Sequence, residues 1–254
     1  MKRTLCAMLL LLFCSATWAH SQKLIVVRSD ASYPPFEIMT EKGELSGVHI
    51  EMVQQVAKSL NLDVEFQSLP WKRAQYLIKQ GKADAITYMG RSAEREKFAI
   101  FRQNNILSHT TNALFIRKAD KDLIHYSGDF DQLKPHKMGF ISGYSYGNKF
   151  NSVNWPNIND TAHDEVVLLK QLFMNRFTVG IGEINRMKYF ARQENFSEQL
   201  YFLQPHLSPI PQYIAFSKGN EILADKFAEA MKEYKGSSDY QALLNKYGVT
   251  AIEP

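Results

Sequence analysis

Twice along this 254-residue chain, a short β-branched run gives way to apolar residues at helical spacing and then to a second such run. Residues 23–28, Lys-Leu-Ile-Val-Val-Arg, read as a strand. From Val48 onward Met52, Val53, Val56, Ala57 and Leu60 return every three or four positions, the spacing of one helical face, and Asn61 ends the run. Residues 64–67 read as a second strand. Pro70 opens a helix with Ala74, Leu77 and Ile78 on one face, and Gly81 stops it. Residues 83–88 read as a third strand. Strands that alternate with helices pair in parallel, and the helices cover the sheet on its faces. The order therefore predicts an α/β fold.

The grammar then repeats. Residues 137–141 read as a strand, 142–147 as a glycine-punctuated loop, and 164–173 as a helix on its Val166, Val167, Leu169, Leu172 and Phe173 pattern. Residues 177–181 read as a strand, 183–193 as a helix and 212–217 as a late strand. Two amphipathic helices close the chain, one carrying Ile222, Leu223, Phe227 and Met231, the other Tyr240, Leu243, Leu244 and Tyr247, with Gly236 between them. This gives two α/β units of about a hundred residues each, an ordinary domain size. The boundaries place the first lobe at 22–110 plus 211–254 and the second at 111–210. Residues 112–117 and 212–217 are the expected crossings, which makes a hinge around a cleft. Ligands in such folds favour domain interfaces and the carboxyl ends of parallel strands.

The N-terminus sets an expected compartment. Lys2 and Arg3 form a basic start, residues 5–13 an apolar run too short to span a bilayer, and Thr17-Trp-Ala19 a small-x-small end. Residues 1–19 thus read as a signal peptide cut after Ala19, for export to the periplasm. Both cysteines, Cys6 and Cys14, lie within it, so the mature chain has none and relies on core burial rather than disulfides. Removing Lys2 and Arg3 lowers the formal charge of +4 to +2, too mild a balance to suggest nucleic acid or a membrane surface as partner. No second apolar run suits a membrane span. The histidines at 109, 125, 136, 163 and 206 have no metal-ligand spacing, and neither a phosphate-binding glycine loop nor a nucleophile motif occurs, so no metal or cofactor is expected.

The stretch Asp84-Ala-Ile-Thr-Tyr-Met-Gly-Arg-Ser-Ala-Glu-Arg95 reads as a buried strand, a short loop, and a helix start with Ser92 at the N-cap and Arg95 three residues on. Unpaired N–H groups and the positive end of the dipole at a helix start, with an Arg fork beside them, suit a small carboxylate.

With these pieces in place, the order of motifs resembles the family 3 periplasmic solute-binding proteins, the polar amino-acid receptors of ABC importers. The resemblance covers the mature chain and rests on Asp30-Ala-Ser-Tyr-Pro-Pro-Phe36, Gly43-Glu-Leu-Ser-Gly47 followed by Val48-His-Ile-Glu51, Gly81-Lys-Ala-Asp-Ala-Ile86, Ser92-Ala-Glu-Arg95 and Gly143-Tyr-Ser-Tyr146. It implies the two-lobe, type II binding-protein fold, with each lobe a mainly parallel sheet flanked by helices. It also implies that Arg95 clamps a ligand α-carboxylate, with Ser92 and the backbone N–H of Gly90 beside it. Tyr33 and Trp71 become walls of the first lobe. Asp30, read from its place in the loop, is either a further ligand contact or a carboxylate that satisfies N–H groups of that loop. Ser145 becomes a contact from the second lobe, and Glu183 the acceptor of the ligand ammonium. The implied partners are an amino acid and a membrane permease or sensor, and the implied state is a monomer.

Four positions depart from that pattern, one of them Arg102, which follows Phe101 where the family has Ser. His49 stands where basic amino-acid receptors carry an acidic residue, which counts against lysine or arginine as ligand; read alone, it is a surface or capping residue. Glu183 is one methylene longer than the usual Asp, and Arg91 adds a second cation beside the clamp, so that Glu183 is expected to be ionised. Cyclohexadienyl dehydratases resemble the same family and use an acidic residue as proton donor, a part open to Glu183. A receptor that hands its closed lobes to a membrane kinase is a second alternative, and a binder of a ligand that is not an amino acid a third.

Overall fold

A computed structural model describes residues 22–142, 144 and 146–250. The expected signal peptide, and Gly143 and Ser145 of the glycine-punctuated loop, lie outside the described residues. The chain begins with β1 (Gln22–Ser29), a small hairpin of β2 (Ile38–Met39) and β3 (Leu45–Ser46), and helix α1 (Val48–Ser59). There follow β4 (Leu62–Leu69), α2 (Trp71–Lys79), β5 (Ala85–Gly90), β6 (Ala99–Ile100) and β7 (Ile106–Thr110). The middle holds β8 (Asn112–Arg117), β9 (Met138–Ile141), the short α3 (Asn148–Asn151), β10 (Ile158–Ala162), α4 (Glu165–Phe173), β11 (Val179–Glu183), α5 (Ile184–Gln193) and β12 (Leu200–Phe202). The chain closes with β13 (Ile210–Ser217), α6 (Glu221–Lys235) and α7 (Ser238–Tyr247).

These strands form two main sheets. The first runs β4-β1-β5-β13-β6, with β7 also on β13; the second runs β10-β9-β11-β8-β12. β4, β1 and β5 are parallel, as are β10, β9 and β11. β13 runs antiparallel to β5, β6 and β7, and β8 antiparallel to β11 and β12. Each sheet is therefore mixed. The chain leaves the first sheet at β7, passes through Thr111 alone, and enters the second at β8. It returns from β12 to β13. Strands that arrive from the other sheet run against the βαβ strands they join, which is why the crossings break an otherwise parallel order.

Each sheet is covered on both faces, and the strands divide their side chains by the two-residue period of the pleat. On β1, Leu24 and Val26 face one core with α1, α6 and α7, while Val27 faces another with Ala74 and Ile78 of α2. On β8, Leu114 and Ile116 pack with Phe150, while Phe115 packs with Leu168, Leu169 and Met187 of α4 and α5. Glycine is required where the second sheet is tightest. Gly180 of β11 lies opposite Phe115 of β8, and a Cβ there would overlap the Phe115 ring.

Candidate functional site

The parallel strands of the first sheet end on one edge, and the residues just beyond them surround a cavity of about 210 Å³. Ser29 ends β1, Ala31 and Tyr33 follow it, Glu37 closes that loop, Trp71 opens α2, and Tyr88 lies near the end of β5. The Asp30 N–H donates to Leu69 O at 2.9 Å and ties the loop after β1 to the end of β4. Asp30 itself is exposed and the cavity is lined by its neighbours, so the structure does not bring it to the wall. Tyr33 and Tyr88 have ring centroids 4.6 Å apart, and the Tyr88 hydroxyl lies 3.0 Å from Thr110 Oγ1 on the crossing strand. Tyr88 has φ of 53°, a left-handed backbone that a bulky residue adopts at a cost of roughly 1–2 kcal/mol. Tyr88 lies where the pairing of β5 with β13 shifts register.

The segment after β5 differs from its sequence reading. A helix starting at Ser92 was expected; the chain makes one 3-10 turn, Arg95–Lys97, and then joins the sheet as β6. Pairing of Ala99 and Ile100 with β13 ends the helix before it begins. With a single turn there is little aligned dipole, so the anion chemistry rests on side chains and local N–H groups. Ser92 Oγ still accepts from the Arg95 N–H at 3.3 Å. The Arg95 guanidinium donates through Nη1 to Gly90 O at 2.7 Å and lies 5.8 Å from the Trp71 ring centroid. The structure thus gathers Arg95, Ser92, Gly90, Trp71 and Tyr33 on one lip of the cleft. Arg91 is exposed and bound to Glu96, Nη2 to Oε1 at 2.5 Å, so the expected second cation is turned away from the clamp.

The opposite lip is the end of β11. Glu183 caps α5, its Oε2 accepting from the Arg186 N–H at 2.8 Å. Its other oxygen, Oε1, is buried without a hydrogen-bond partner among the described residues. Burial pushes its pKa up to about 7, against the opposing pull of backbone N–H groups and the Arg186 charge. The expectation that nearby cations keep Glu183 ionised is met only in part: Arg91 is bound to Glu96, and desolvation outweighs the Arg186 charge.

Arg186, which sequence reasoning passed over, is the most connected group at this lip. Its guanidinium binds Glu165 Oε1 through Nε at 2.7 Å and Nη2 at 2.6 Å, and lies 4.0 Å from the Tyr33 ring centroid on the opposite lobe. Nη1 is buried and unpaired among the described residues. The signal was its spacing: three residues past a helix-capping Glu183, it shares the first turn of α5 and so the same lip.

Below the cavity lies a second network missed from sequence. Glu37 accepts from Arg28 Nε at 2.9 Å and sits 3.5 Å from His49 Nδ1; all three are buried. His49 is therefore no surface residue. Its ring stacks on Phe36 at 4.9 Å and its Nε2 lies 2.9 Å from Ser108 Oγ on β7. Burial lowers the His49 pKa despite Glu37. Burial alone would raise that of Glu37, but contact with His49 and the charge of Arg28 hold it below the usual carboxylate range. Among the described residues no cluster of three metal-ligating side chains occurs, and no helix is long and apolar enough to cross a membrane.

Comparisons with known proteins agree with this architecture. An arginine-binding periplasmic protein of Mannheimia haemolytica is 28% identical over 255 residues, covering 97% of this chain and 98% of the relative. The L-cystine-binding protein TcyJ of Escherichia coli K12 is 23% identical, over 88% of this chain and 82% of its own. The L-cystine solute receptor of Neisseria gonorrhoeae, solved in the unliganded open conformation, superposes with a TM-score of 0.74 at 18% identity, covering 92% of this chain and 96% of that one. The model of the bacterial extracellular solute-binding proteins, family 3, matches residues 25–250. The chain belongs to that family, and is a receptor for a small solute rather than an enzyme.

Proposed function

We propose that this protein is a periplasmic receptor that closes its two lobes on an amino acid and delivers it to the membrane permease of an ABC importer. Residues 1–19 are removed on export, and the mature protein acts as a monomer. Arg95 and Ser92, with the Gly90 backbone, hold the α-carboxylate; Arg95 leaves Gly90 O for a bidentate contact that matches its fork. Tyr33 and Trp71 cover the ligand's apolar surface. Glu183 takes the ammonium, and Ser145 adds a contact from the same lobe.

The observation that carries this reading is the Glu183 carboxylate. One oxygen is buried and unpaired opposite the aromatic lip, and burial leaves the carboxyl half-protonated near neutrality. An ammonium supplies both the missing hydrogen bond and the missing charge. Only the closed form brings Arg95 and Glu183 to one ligand, so a zwitterion shifts the population toward closure by its differential affinity for that form. The test is calorimetric titration of the mature protein with the standard amino acids. At least one is expected to bind in the micromolar range or tighter, and Arg95→Ala to abolish its binding. Retention of binding by Arg95→Ala refutes the placement of the carboxylate. Turnover of prephenate or arogenate that is lost in Glu183→Gln would refute the proposed role of Glu183.

A further inference from the structure

The aromatic lip of the cleft already holds a cation. The Arg186 guanidinium lies 4.0 Å from the Tyr33 ring centroid, and Tyr33 packs in turn against Tyr88. A cation over an aromatic face is a specific and favourable arrangement, and a given face seats one such group. Two of the three guanidinium nitrogens are spent on Glu165, and both of those bonds go to a single carboxylate oxygen. Nη1 is buried and has no hydrogen-bond partner among the described residues. A guanidinium has five donors and no acceptor, so only an acceptor can satisfy Nη1. A buried, unpaired charged donor is costly.

The charges in the cleft sort accordingly. Arg95 and Glu183 are matched to the two poles of a zwitterion. Glu165 is occupied by Arg186 and offers no free counter-charge to a second cation. With Glu183 Oε1 matched to the ligand ammonium, the need left over is an acceptor for Arg186 Nη1.

We propose that Arg186 is a resident cation filling the aromatic seat of the cleft, and that the receptor consequently selects amino acids with an acidic side chain over those with a basic one. This rests on the reading of the cleft as an amino-acid site. It runs against the names of the arginine-binding relatives, which makes it discriminating.

The experiment is calorimetric titration of the mature protein with L-glutamate, L-aspartate, L-arginine and L-lysine. At least one acidic ligand is expected to bind about tenfold or more tighter than either basic one. Arg186→Met combined with Glu165→Gln removes both charges of the pair and leaves no buried charge alone. In this double variant the acidic preference should fall by about tenfold or more. Arginine or lysine binding more tightly than both acids in the unaltered protein would overturn the inference and leave the receptor reading standing. So would an acidic preference that survives intact in the folded double variant. Failure of every standard amino acid to bind would overturn the amino-acid reading and this inference with it.

Discussion

Glu183 makes the ligand affinity depend on pH in a calculable way. In the free protein burial pushes its pKa to about 7. If a ligand ammonium binds the ionised carboxylate, the complex holds that group ionised at any pH near neutrality, and binding expels whatever proton the free protein carried. At pH 8 about nine-tenths of free Glu183 is ionised; at pH 6 only about one-tenth is. Affinity should therefore weaken about tenfold, or about 1.4 kcal/mol, as pH falls from 8 to 6. At pH 7 about half a proton should be released per ligand bound. Calorimetry in buffers of different ionisation enthalpy reads both quantities. Glu183→Gln cannot titrate and should flatten the pH profile while weakening binding at pH 8, which assigns the slope to this residue rather than to a histidine. A flat profile in the unaltered protein, with no proton released, would refute the reasoning. The same shift predicts the sign for unliganded stability. The folded state binds more protons than the unfolded state between the ordinary carboxylate value and about 7, so stability is greatest below that window and falls as pH rises through it, by an upper limit of about 3 kcal/mol.

Three further outcomes follow from the geometry. Arg95→Lys should recover only part of the affinity lost in Arg95→Ala, whose loss is expected at about 2–5 kcal/mol by calorimetry, because an ammonium cannot grip both carboxylate oxygens as a fork does. Gly180→Ala should destabilise the fold by about 1–3 kcal/mol in urea, since its methyl would overlap the Phe115 ring in a closed core. Arg28→Met should cost about 3–5 kcal/mol in the same assay, because it removes the buried guanidinium that pairs with the buried Glu37 carboxylate.

Much of the fold was legible because its rules are local. The apolar spacing from Val48 to Leu60 and the strand–helix alternation identify βαβ units without reference to anything distant. The short strands β6, β7, β10 and β12 escaped, since two to five residues carry too little periodicity and their strand character comes from the partners they meet. Ser92 and Arg95 read as a helix start because the residues that cancel the helix, Ala99 and Ile100, do so only by pairing with β13, more than a hundred residues later. Gly90, Ser92, Arg95, Trp71 and Tyr33 stood out through their motifs. Arg186 and the trio of Arg28, Glu37 and His49 did not. A buried ion pair has no sequence pattern when its members lie on different elements, and His49 looks like a surface residue until Phe36 and Ser108 close over it.

The central claim is that two lobes close on a zwitterion and need both of its poles. Once the panel has identified the amino acid that binds, the direct measurement is calorimetric comparison of that ligand with its α-methyl ester and with its deaminated acid. Each analogue keeps the side chain and one pole while removing the other. The account predicts that each binds at least about a hundredfold more weakly than the parent, because each leaves either Arg95 or Glu183 desolvated and unpaired on closure. A deaminated acid that binds as tightly as the parent would contradict it.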